Sequence, residues 1–501
     1  MQYTAKDIVN SMKLGSRTAE EETDSLGKYF VETESWRKVY EGDVDLIYAP
    51  KGGGKSAIYA MLRGRENDLF DRRILLTSAE NTAGEPALKQ AVQQTPPTSE
   101  IDFIGIWKLY FISLIAKTIE EYDIKNHAAK TLLNKLSKAG LHTPQKRSLL
   151  QVLRDAVDYV KNSFSFTTSF PVAPETGTVT PTFTIAPITF TEPSQLDRQR
   201  GIIGVDSLFE LCNDAFAQAE FKVWLLLDRL DVAFSDSPEL ERNALRALFR
   251  VYNDMRAYPE ISLKIFLRSD IWNAINVGGF REASHLTRHL NIRWDPDSLL
   301  QLAVQRILQS EALCKHYGVD RKDVLADSSM QMELFHTVYP PQVDQGARKP
   351  KTFDWCLSRT KDGTGSNAPR ELIHLLSAVR DNQLNRCNNG KDSPAGKSVY
   401  DRQSFKEAIK IVSKVRFEQT LYSEYPSHRG RIEKLRNQKA TQTLTTLSEI
   451  WEVSMEECSM YADALVEIGF FEKAGEFYNV PFMYRPFLKM TQGKAKSSKE
   501  E

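Results

Sequence analysis

The sequence lacks a charge excess of either sign and a long uncharged apolar run. Its 501 residues include 66 Lys and Arg and 66 Asp and Glu, so the formal net charge is zero. A global basic field for nucleic acid is therefore excluded, and any contact with DNA or RNA must come from a local patch. The nearest candidate for such a run, residues 101–119, carries Asp102, Lys108 and Lys117, and its apolar residues recur at helical spacing. It indicates a buried amphipathic helix rather than a membrane span.

Cysteine is scarce and scattered along the chain. The five cysteines are Cys212, Cys314, Cys356, Cys387 and Cys458. None belongs to a CxxC motif or a Cys/His cluster, so the sequence indicates neither a zinc site nor a disulfide framework. The amino-terminal residues MQYTAKDIVNSMK lack the apolar core of a secretion signal. We therefore expect a soluble cytoplasmic protein without a membrane partner.

Short apolar runs alternate with helical patterns up to about residue 296. Candidate strands cover residues 44–49, 74–78, 223–227, 262–267 and 291–294. Strands alternating with helices predict a parallel sheet with helices on both faces. Residues 164–191 are rich in Thr, Phe, Val and Pro and alternate with period two, which predicts an inserted β-hairpin or small sheet. A helix is expected over residues 26–40.

A glycine-rich segment, APKGGGKS, follows the first candidate strand and opens a helix. This is the context that a phosphate-binding P-loop requires, because bare backbone N–H groups and a helix amino terminus must approach the anion. We predict that the loop binds ATP, that Lys55 reaches its β- and γ-phosphates, and that Ser56 coordinates Mg²⁺. Ala49 replaces the first glycine of the pattern, and the alternative is an ordinary glycine-rich turn. The predicted nucleotide-binding residues are Pro50, Lys51, Gly52, Gly53, Gly54, Lys55, Ser56 and Ala57.

An acidic residue ends the most apolar candidate strand. Asp228 follows the run VWLLL, and a carboxylate there is predicted to hold Mg²⁺. Its alternative role is a helix N-cap. Many ATPases place Glu next, where this chain has Arg229, so Asp231 is the candidate for orienting the attacking water and Glu80 a more distant one. A structural role for Asp231 is nearly as well supported by the sequence.

Arginines supply candidate sensors of the γ-phosphate. Arg268 follows the strand at residues 262–267, although a salt bridge with Asp270 explains it equally well. Arg370 follows Pro369 at a helix start and contacts the phosphates if the helical segment folds over the nucleotide. Arg281 and Arg288 are weaker candidates for action on a neighbouring subunit.

Several segments together carry a family likeness. APKGGGKSA, LLLDRLD, IFLRSDIW, NIRWDPDSLLQLAVQRI, NAPRELIHLL and LVEIGFFEKAGEFYNVPFMYRPFLKM resemble the STAND/ORC-like branch of AAA+-related P-loop ATPases. More closely, the chain is similar to a bacterial P-loop ATPase family that was first named from a cyanobacterial reading frame and occurs in anti-phage contexts. The resemblance implies a nucleotide-controlled switch that forms a homo-oligomer and acts in antiviral defence.

The resemblance also implies roles for individual residues. Lys55 and Ser56 take the Walker A positions and Asp228 the Walker B position. Asp231 is the second acid of a D-x-L-D pattern. Arg268 falls on a sensor-1 arginine and Arg370 on a sensor-2-like arginine. Because no nuclease, protease or other effector constellation is recognisable in the chain, a separate effector protein is expected.

The predicted fold is α/β, with a P-loop NTPase core containing a parallel sheet, an all-α lid and a C-terminal winged-helix domain. The expected domains are a flexible N-terminus (1–24), an ATPase core (25–296) with a helical and β-hairpin insertion at about 123–200, a helical lid and linker (297–397), a winged-helix-like domain (398–490) and a disordered tail (491–501).

The expected winged helix carries an acidic candidate recognition helix at residues 456–468, which offers no side chains for base-specific readout. The basic stretch at residues 428–439 is a candidate for phosphate contacts, with a solvated helix face as the alternative. Three functions follow: an ATPase switch that controls an effector, a DNA-loading or DNA-remodelling ATPase, and a nucleotide-binding scaffold without turnover.

Overall fold

The structure of the protein is a computed structural model. It describes residues 3–22, 25–79, 99–143, 148–165, 188–199, 201–229, 238–277, 286–392, 394 and 396–496. The chain divides into two compact units. The sheet unit comprises Glu34–Ala49 and Ile58–Asn291, and the terminal unit comprises Met1–Thr33, Pro50–Ala57 and Ile292–Glu501.

The sheet unit is built on a five-stranded parallel sheet. The described strands of this unit are β1 (Leu46–Ala49), β2 (Ile74–Ser78), β3 (Ile188–Thr189), β4 (Ile203–Gly204), β5 (Lys222–Leu227), β6 (Ile261–Arg268) and β7 (His289–Asn291). β3 and β4 form a separate two-stranded sheet, and the other five strands form the main sheet. The order across the sheet is β2-β5-β6-β1-β7, and every neighbouring pair is parallel. Parallel neighbours need crossover connections, which explains why helices separate these strands along the chain. The expected mixed α/β architecture with a parallel sheet is confirmed.

Consecutive residues of the central strands are buried, not alternate ones. Five successive residues of β5, Val223–Leu227, are buried, and so are Leu263–Leu267 of β6. This pattern is typical of parallel strands that are covered on both faces. The continuous apolar runs in the sequence are therefore a direct consequence of the position of these strands within the sheet.

Helices pack around this sheet to form one apolar core. The longest, Glu100–Glu121, begins with a capping box formed by Ser99 and Asp102 and buries most of its apolar residues. Within the described residues, no helix combines the length and the apolar character needed to cross a membrane. The helices are Glu34–Tyr40, Lys55–Gly64 (which begins in the terminal unit), Glu66–Asp71, Glu100–Glu121, His127–Lys138, Leu149–Ser165, Gln195–Gln199, Val205–Ala219, Pro238–Met255 and Ser269–Val277.

The expected β-hairpin at residues 164–191 lies largely outside the described residues. Its described strand, β3, pairs in parallel with β4 and so does not form an antiparallel hairpin arm with it. The helices His127–Lys138 and Leu149–Ser165 contribute Leu132 and Leu153 to the same core as the sheet. This part of the expected insertion is thus an integral part of the sheet unit.

The terminal unit is mainly helical. Its helices are Ala5–Ser11, Leu26–Tyr29, Pro296–Ile307, Glu311–Tyr317, Arg321–Ala326, Ser328–Val338, Thr352–Thr360, Pro369–Asn388, Arg402–Arg416, Tyr422–Glu424, Arg429–Lys434, Leu444–Trp451, Met455–Glu467 and Arg485–Leu488. Ala19–Glu21 and Pro426–His428 are 3₁₀ turns, and Phe417–Leu421 is a π-helical turn.

Three expectations differ from this arrangement. The N-terminus is not frayed over Ala5–Ser11, because Ile8, Val9 and Met12 are buried in the core of the terminal unit. The helix expected over residues 26–40 is interrupted after Tyr29 and resumes at Glu34. Within the expected lid and linker (297–397), the polar segment from residue 382 was interpreted as the linker, but the helix Pro369–Asn388 continues into it and buries Gln383.

The carboxy-terminal part contains a second, four-stranded sheet. Its strands are β8 (Lys439–Gln442), β9 (Glu472–Ala474), β10 (Phe477–Asn479) and β11 (Thr491–Lys494), in the order β11-β8-β10-β9. β10 is antiparallel to β8 and β9, and β11 is parallel to β8. The tail was expected to be disordered from residue 491, but its first residues form β11 by pairing with β8.

Candidate functional site

The carboxyl ends of three strands lie at one edge of the parallel sheet. β6 is placed between β1 and β5, and Ala49 at the end of β1 is in register with Arg268 at the end of β6. Asp228 directly follows the last residue of β5. Polar residues after parallel strands commonly form ligand sites at this edge. The edge therefore brings Asp228 and Arg268 toward the strand end from which the glycine loop starts.

The glycine loop follows Ala49 directly in the chain and ends at the helix Lys55–Gly64. The Gly53 N–H donates to the Pro50 carbonyl oxygen at 3.0 Å, which closes a tight turn. Gly52 and Gly54 have φ angles of 79° and 103°, a region that residues with a Cβ rarely adopt. The loop thus presents bare backbone at a helix amino terminus, which is an arrangement suited to phosphate.

Arg370, which the sequence predicted to contact the phosphates, lies against this loop. A methyl group built on Gly52 would lie 2.8 Å from the Cβ and 3.0 Å from the Cδ of Arg370. Pro369 occupies the first turn of the helix Pro369–Asn388, so its constrained φ fixes the start of the helix that carries Arg370. Gly52 is required here both for its backbone conformation and for the close approach of Arg370.

Trp294, which was not among the site residues predicted from the sequence, also contacts the loop. The Trp294 Nε1–H donates to the Gly53 carbonyl oxygen at 2.9 Å. A methyl group built on Gly54 would lie 3.7 Å from the same indole ring. Trp294 lies within the NIRWDPD segment, shortly after β7, and was expected to end a strand. Its position after the last strand of a parallel sheet is the only local signal of this role.

Lys51 contacts the segment that follows the helix Arg402–Arg416. Its ammonium forms an ion pair with Glu424 and lies 3.5 Å from the carbonyl oxygen of Gln419. Gln419 belongs to the π-helical turn Phe417–Leu421, and Glu424 ends the next helical turn. No periodicity or motif in the sequence relates these residues to the loop.

Arg370 is followed by a buried ion pair. Glu371 accepts from Arg416 at 3.1 Å, and both side chains are largely removed from water, with exposures of 6% and 12%. Burial opposes the charge of Arg416, but Tyr484, Glu371 and Asp362 outweigh it and raise the pKa of Arg416 above its usual value. The pair fixes the first turn of the helix Pro369–Asn388 to the end of the helix Arg402–Arg416.

Asp228, the predicted Mg²⁺ ligand, is half-buried at the end of β5. The backbone N–H of Arg229 donates to its Oδ1 at 2.8 Å, and Arg229 itself has a φ of 62°. A positive φ is uncommon for a residue other than glycine, so the chain turns sharply directly after the carboxylate. Asp231 and Glu80, the candidate bases, and Arg281 lie outside the described residues.

Arg268 forms the salt bridge that the sequence analysis held as its alternative role. Its Nε and Nη2 donate to the two carboxylate oxygens of Asp270 at 3.0 and 2.7 Å. Arg288 pairs with Asp45 at 2.7 Å, and its carbonyl oxygen accepts from Leu46 at the start of β1. Arg288 therefore lies at the amino edge of the sheet, away from Asp228 and Arg268.

Comparisons with known proteins give a likeness at the level of structure. No family model matches the sequence and no curated protein matches it. Among solved structures, the chain is similar to the Walker-type ATPase PABY2304 of Pyrococcus abyssi, with 10% sequence identity and a TM-score of 0.41 over 92% of this chain and 96% of that chain. At this identity and TM-score the likeness carries no functional argument.

Proposed function

We propose that the chain binds ATP with Mg²⁺ and hydrolyses it. The observation that carries this proposal is the glycine loop, with Gly52 and Gly54 in the left-handed region and a helix that begins at Lys55. The loop follows a strand of a parallel sheet in which β5 ends at Asp228. Sequence motif, strand context and backbone conformation agree with one another.

The residues present fit a nucleotide with its metal ion. The loop carries no side chain at Gly52, Gly53 or Gly54, so no Cβ shields its backbone N–H groups from phosphate oxygens, and Arg370 lies against it at Gly52. Lys55 would supply the charge for the β- and γ-phosphates, and Ser56 and Asp228 would hold Mg²⁺. Magnesium, when bound, neutralises charge that develops on the phosphate oxygens.

Other residues in this proposal position water or sense the phosphates. Asp231 orients the attacking water as a general base. Arg370 contacts the phosphates from the start of its helix. Arg268 senses the γ-phosphate by exchanging its carboxylate partner Asp270 for a phosphate oxygen.

Three single substitutions test the site. Lys55→Ala is expected to abolish nucleotide binding, since a charge-assisted contact contributes roughly 1.5–3 kcal/mol and Lys55 makes more than one. Asp228→Asn and Asp231→Asn are expected to retain binding and lose magnesium-dependent phosphate release. Arg63→Ala, an exposed charge at the far end of the same helix as Lys55, serves as the matched control. Normal hydrolysis by the Lys55→Ala protein would falsify the assignment.

At a finer level, we propose a cytoplasmic switch that forms a homo-oligomer and controls a separate effector in anti-phage defence. This part rests on the resemblance of the sequence motifs. Light scattering with and without ATP tests the oligomer, because a nucleotide-controlled switch should change its mass with nucleotide. An unchanged monomer under both conditions would contradict an oligomeric switch.

For the carboxy-terminal module we propose a winged helix that contacts protein. The order β8, two helices, β9 and β10 supports this fold. The helix Met455–Glu467 exposes Glu456 and Glu457. The guanidinium of Arg431, from the basic stretch, lies 3.4 Å from the ring centre of Tyr461. DNA-stimulated phosphate release would instead favour the DNA-loading function, and binding without release would favour the scaffold.

A further inference from the structure

The ammonium group of Lys51 in the glycine loop is held by the segment that leads into the carboxy-terminal module. Glu424 supplies the carboxylate, and Gln419 supplies a carbonyl oxygen at 3.5 Å. The side chain of Glu424 is only 12% exposed, whereas that of Lys51 is 35% exposed. The carboxylate is therefore the more desolvated partner, and Lys51 is the cation that compensates its charge.

Packing fixes the position of Glu424. The residue follows the π-helical turn Phe417–Leu421, and such turns are rare and frequently occur at functional sites. Phe417 stacks on Phe487 with ring centres 4.5 Å apart, and the Tyr422 hydroxyl donates to Glu433 at 2.7 Å. The carboxylate is thus presented to the loop by a segment anchored in the carboxy-terminal core.

A negative charge beside an anion-binding loop opposes the binding of phosphate. Lys51 supplies a counter-charge from the loop, and it is shared between Glu424 and any phosphate that enters the loop. Neutralising Glu424 would therefore both remove a repulsive charge and leave the Lys51 charge available to the phosphates. Conversely, an anion that attracts Lys51 weakens its hold on the carboxy-terminal segment, because coupling between two sites is reciprocal.

We propose that Glu424 is a positioning residue of the nucleotide site, which sets the affinity of the loop for nucleotide through its ion pair with Lys51. This inference rests on the proposed ATP binding. It goes further in making nucleotide affinity depend on a carboxylate of the carboxy-terminal segment. Glu424 touches no reacting atom in this proposal, so it changes nucleotide affinity and leaves the rate of the chemical step unchanged.

The test is titration of the full-length protein with a fluorescent ATP analogue and Mg²⁺. Glu424→Gln should lower Kd by about threefold or more at low salt, as expected for removal of one nearby charge in a medium close to water. The difference should shrink at ~1 M salt, where the Debye length is about 3 Å. Glu424→Asp keeps the charge and should remain close to wild type, and kcat should be the same in all three proteins.

A matched control lies on the preceding π-helical turn, Phe417–Leu421. Glu418 is 52% exposed and pairs with Lys414 at 3.9 Å, so Glu418→Gln removes the same charge away from Lys51 and should leave Kd unchanged. Lys51→Met should raise Kd, and adding Glu424→Gln to it should reverse part of this rise. If Glu424→Gln lowers the melting temperature without lowering Kd, Glu424 is merely structural and the proposal is overturned. Failure of the proposed function is distinct, because the wild-type protein would then not bind the analogue.

Discussion

Adding a methyl group at Gly52 is the smallest change that should disable the glycine loop. Gly52 has a φ of 79°, and an added Cβ would lie 2.8 Å from the Arg370 Cβ. A Cβ cannot rotate away, so the loop or the start of the helix Pro369–Asn388 must move. That helix start is held by the buried pair between Glu371 and Arg416. Gly52→Ala therefore forces the loop out of the conformation that presents its backbone.

The expected cost has two parts. An alanine in the left-handed region costs roughly 1–2 kcal/mol. Relief of the overlap with Arg370 adds about 1–3 kcal/mol, as for other overpacked sites. If nucleotide binding must restore the original loop conformation at a cost of about 2 kcal/mol, the Kd for nucleotide rises about 30-fold, since 1.4 kcal/mol corresponds to a factor of ten.

The assay combines titration with a fluorescent ATP analogue and urea unfolding. Gly64→Ala is the matched control, because Gly64 ends the helix that starts at Lys55 and an added Cβ there meets no atom within 4 Å. That change should leave Kd unaltered and stabilise the protein by up to about 1 kcal/mol. On an Arg370→Gly background, which removes the facing Cβ, Gly52→Ala should cost less than it does alone.

Two outcomes would refute this reasoning. If Gly52→Ala binds nucleotide as tightly as the wild type, the loop does not need its left-handed glycine to bind. If the cost of Gly52→Ala is the same on the Arg370→Gly background, the contact between these two residues is not its origin. Either result would remove the main structural support for Arg370 as part of the site.

Two further predictions concern the helices that support the loop. Arg416→Met leaves the buried Glu371 carboxylate unpaired and should destabilise the protein by about 3 kcal/mol in urea unfolding. Lys410→Met on the same helix loses only an exposed pair with Glu407 and should cost no more than about 0.5 kcal/mol; equal costs would contradict the argument. Burial lowers the pKa of His374 from 6.5 to about 4, so the unfolded state binds more protons between these values and stability falls as pH drops from 6.5 toward 4. His374→Gln should make the melting temperature less sensitive to acid in this range, and an unchanged pH profile would count against it.

The strands of the parallel sheet could be predicted because their environment is uniform. β5 and β6 are covered on both faces, so apart from Lys264 their buried residues are all apolar and no periodicity is needed to recognise these strands. β7 was expected at residues 291–294 but occupies His289–Asn291, since its three residues are exposed or half-buried and carry no apolar run. β7, one of the two edge strands of the sheet, therefore had the weakest hydrophobic pattern in the sequence.

The glycine loop and Arg370 were predictable for a different reason. A run of glycines before Lys-Ser and a Pro-Arg pair at a helix start each have a local physical meaning. The N-terminal helix was missed because it buries only Ile8 and Val9, which is too short a pattern to separate from a polar coil. Its burial depends on the helices with which it packs.

Except for Arg370, the residues that contact the loop could not be predicted, because they come from distant parts of the chain. Trp294 follows the last strand of the sheet, Arg370 opens a long helix, and Glu424 follows a π-helical turn. Each contacts a different loop residue, namely Gly53, Gly52 and Lys51. Three separate segments therefore contact three successive residues of the loop. Of the three contacting residues, Arg370 was the one proposed from the sequence.

This arrangement has a consequence for how substitutions in the loop should combine. The Trp294 hydrogen bond and the Lys51 ion pair act on two residues of one tight turn, Gly53 and Lys51, so a movement of the turn at one contact changes the geometry of the other. Residues that share a backbone element in this way usually show coupling energies of 0.5–3 kcal/mol. Effects of Trp294 and Glu424 substitutions on nucleotide affinity should therefore be non-additive, although the two side chains come from separate segments. Strict additivity would mean that the loop moves as independent units, and the tight turn closed by Gly53 and Pro50 would then not be the element that connects them.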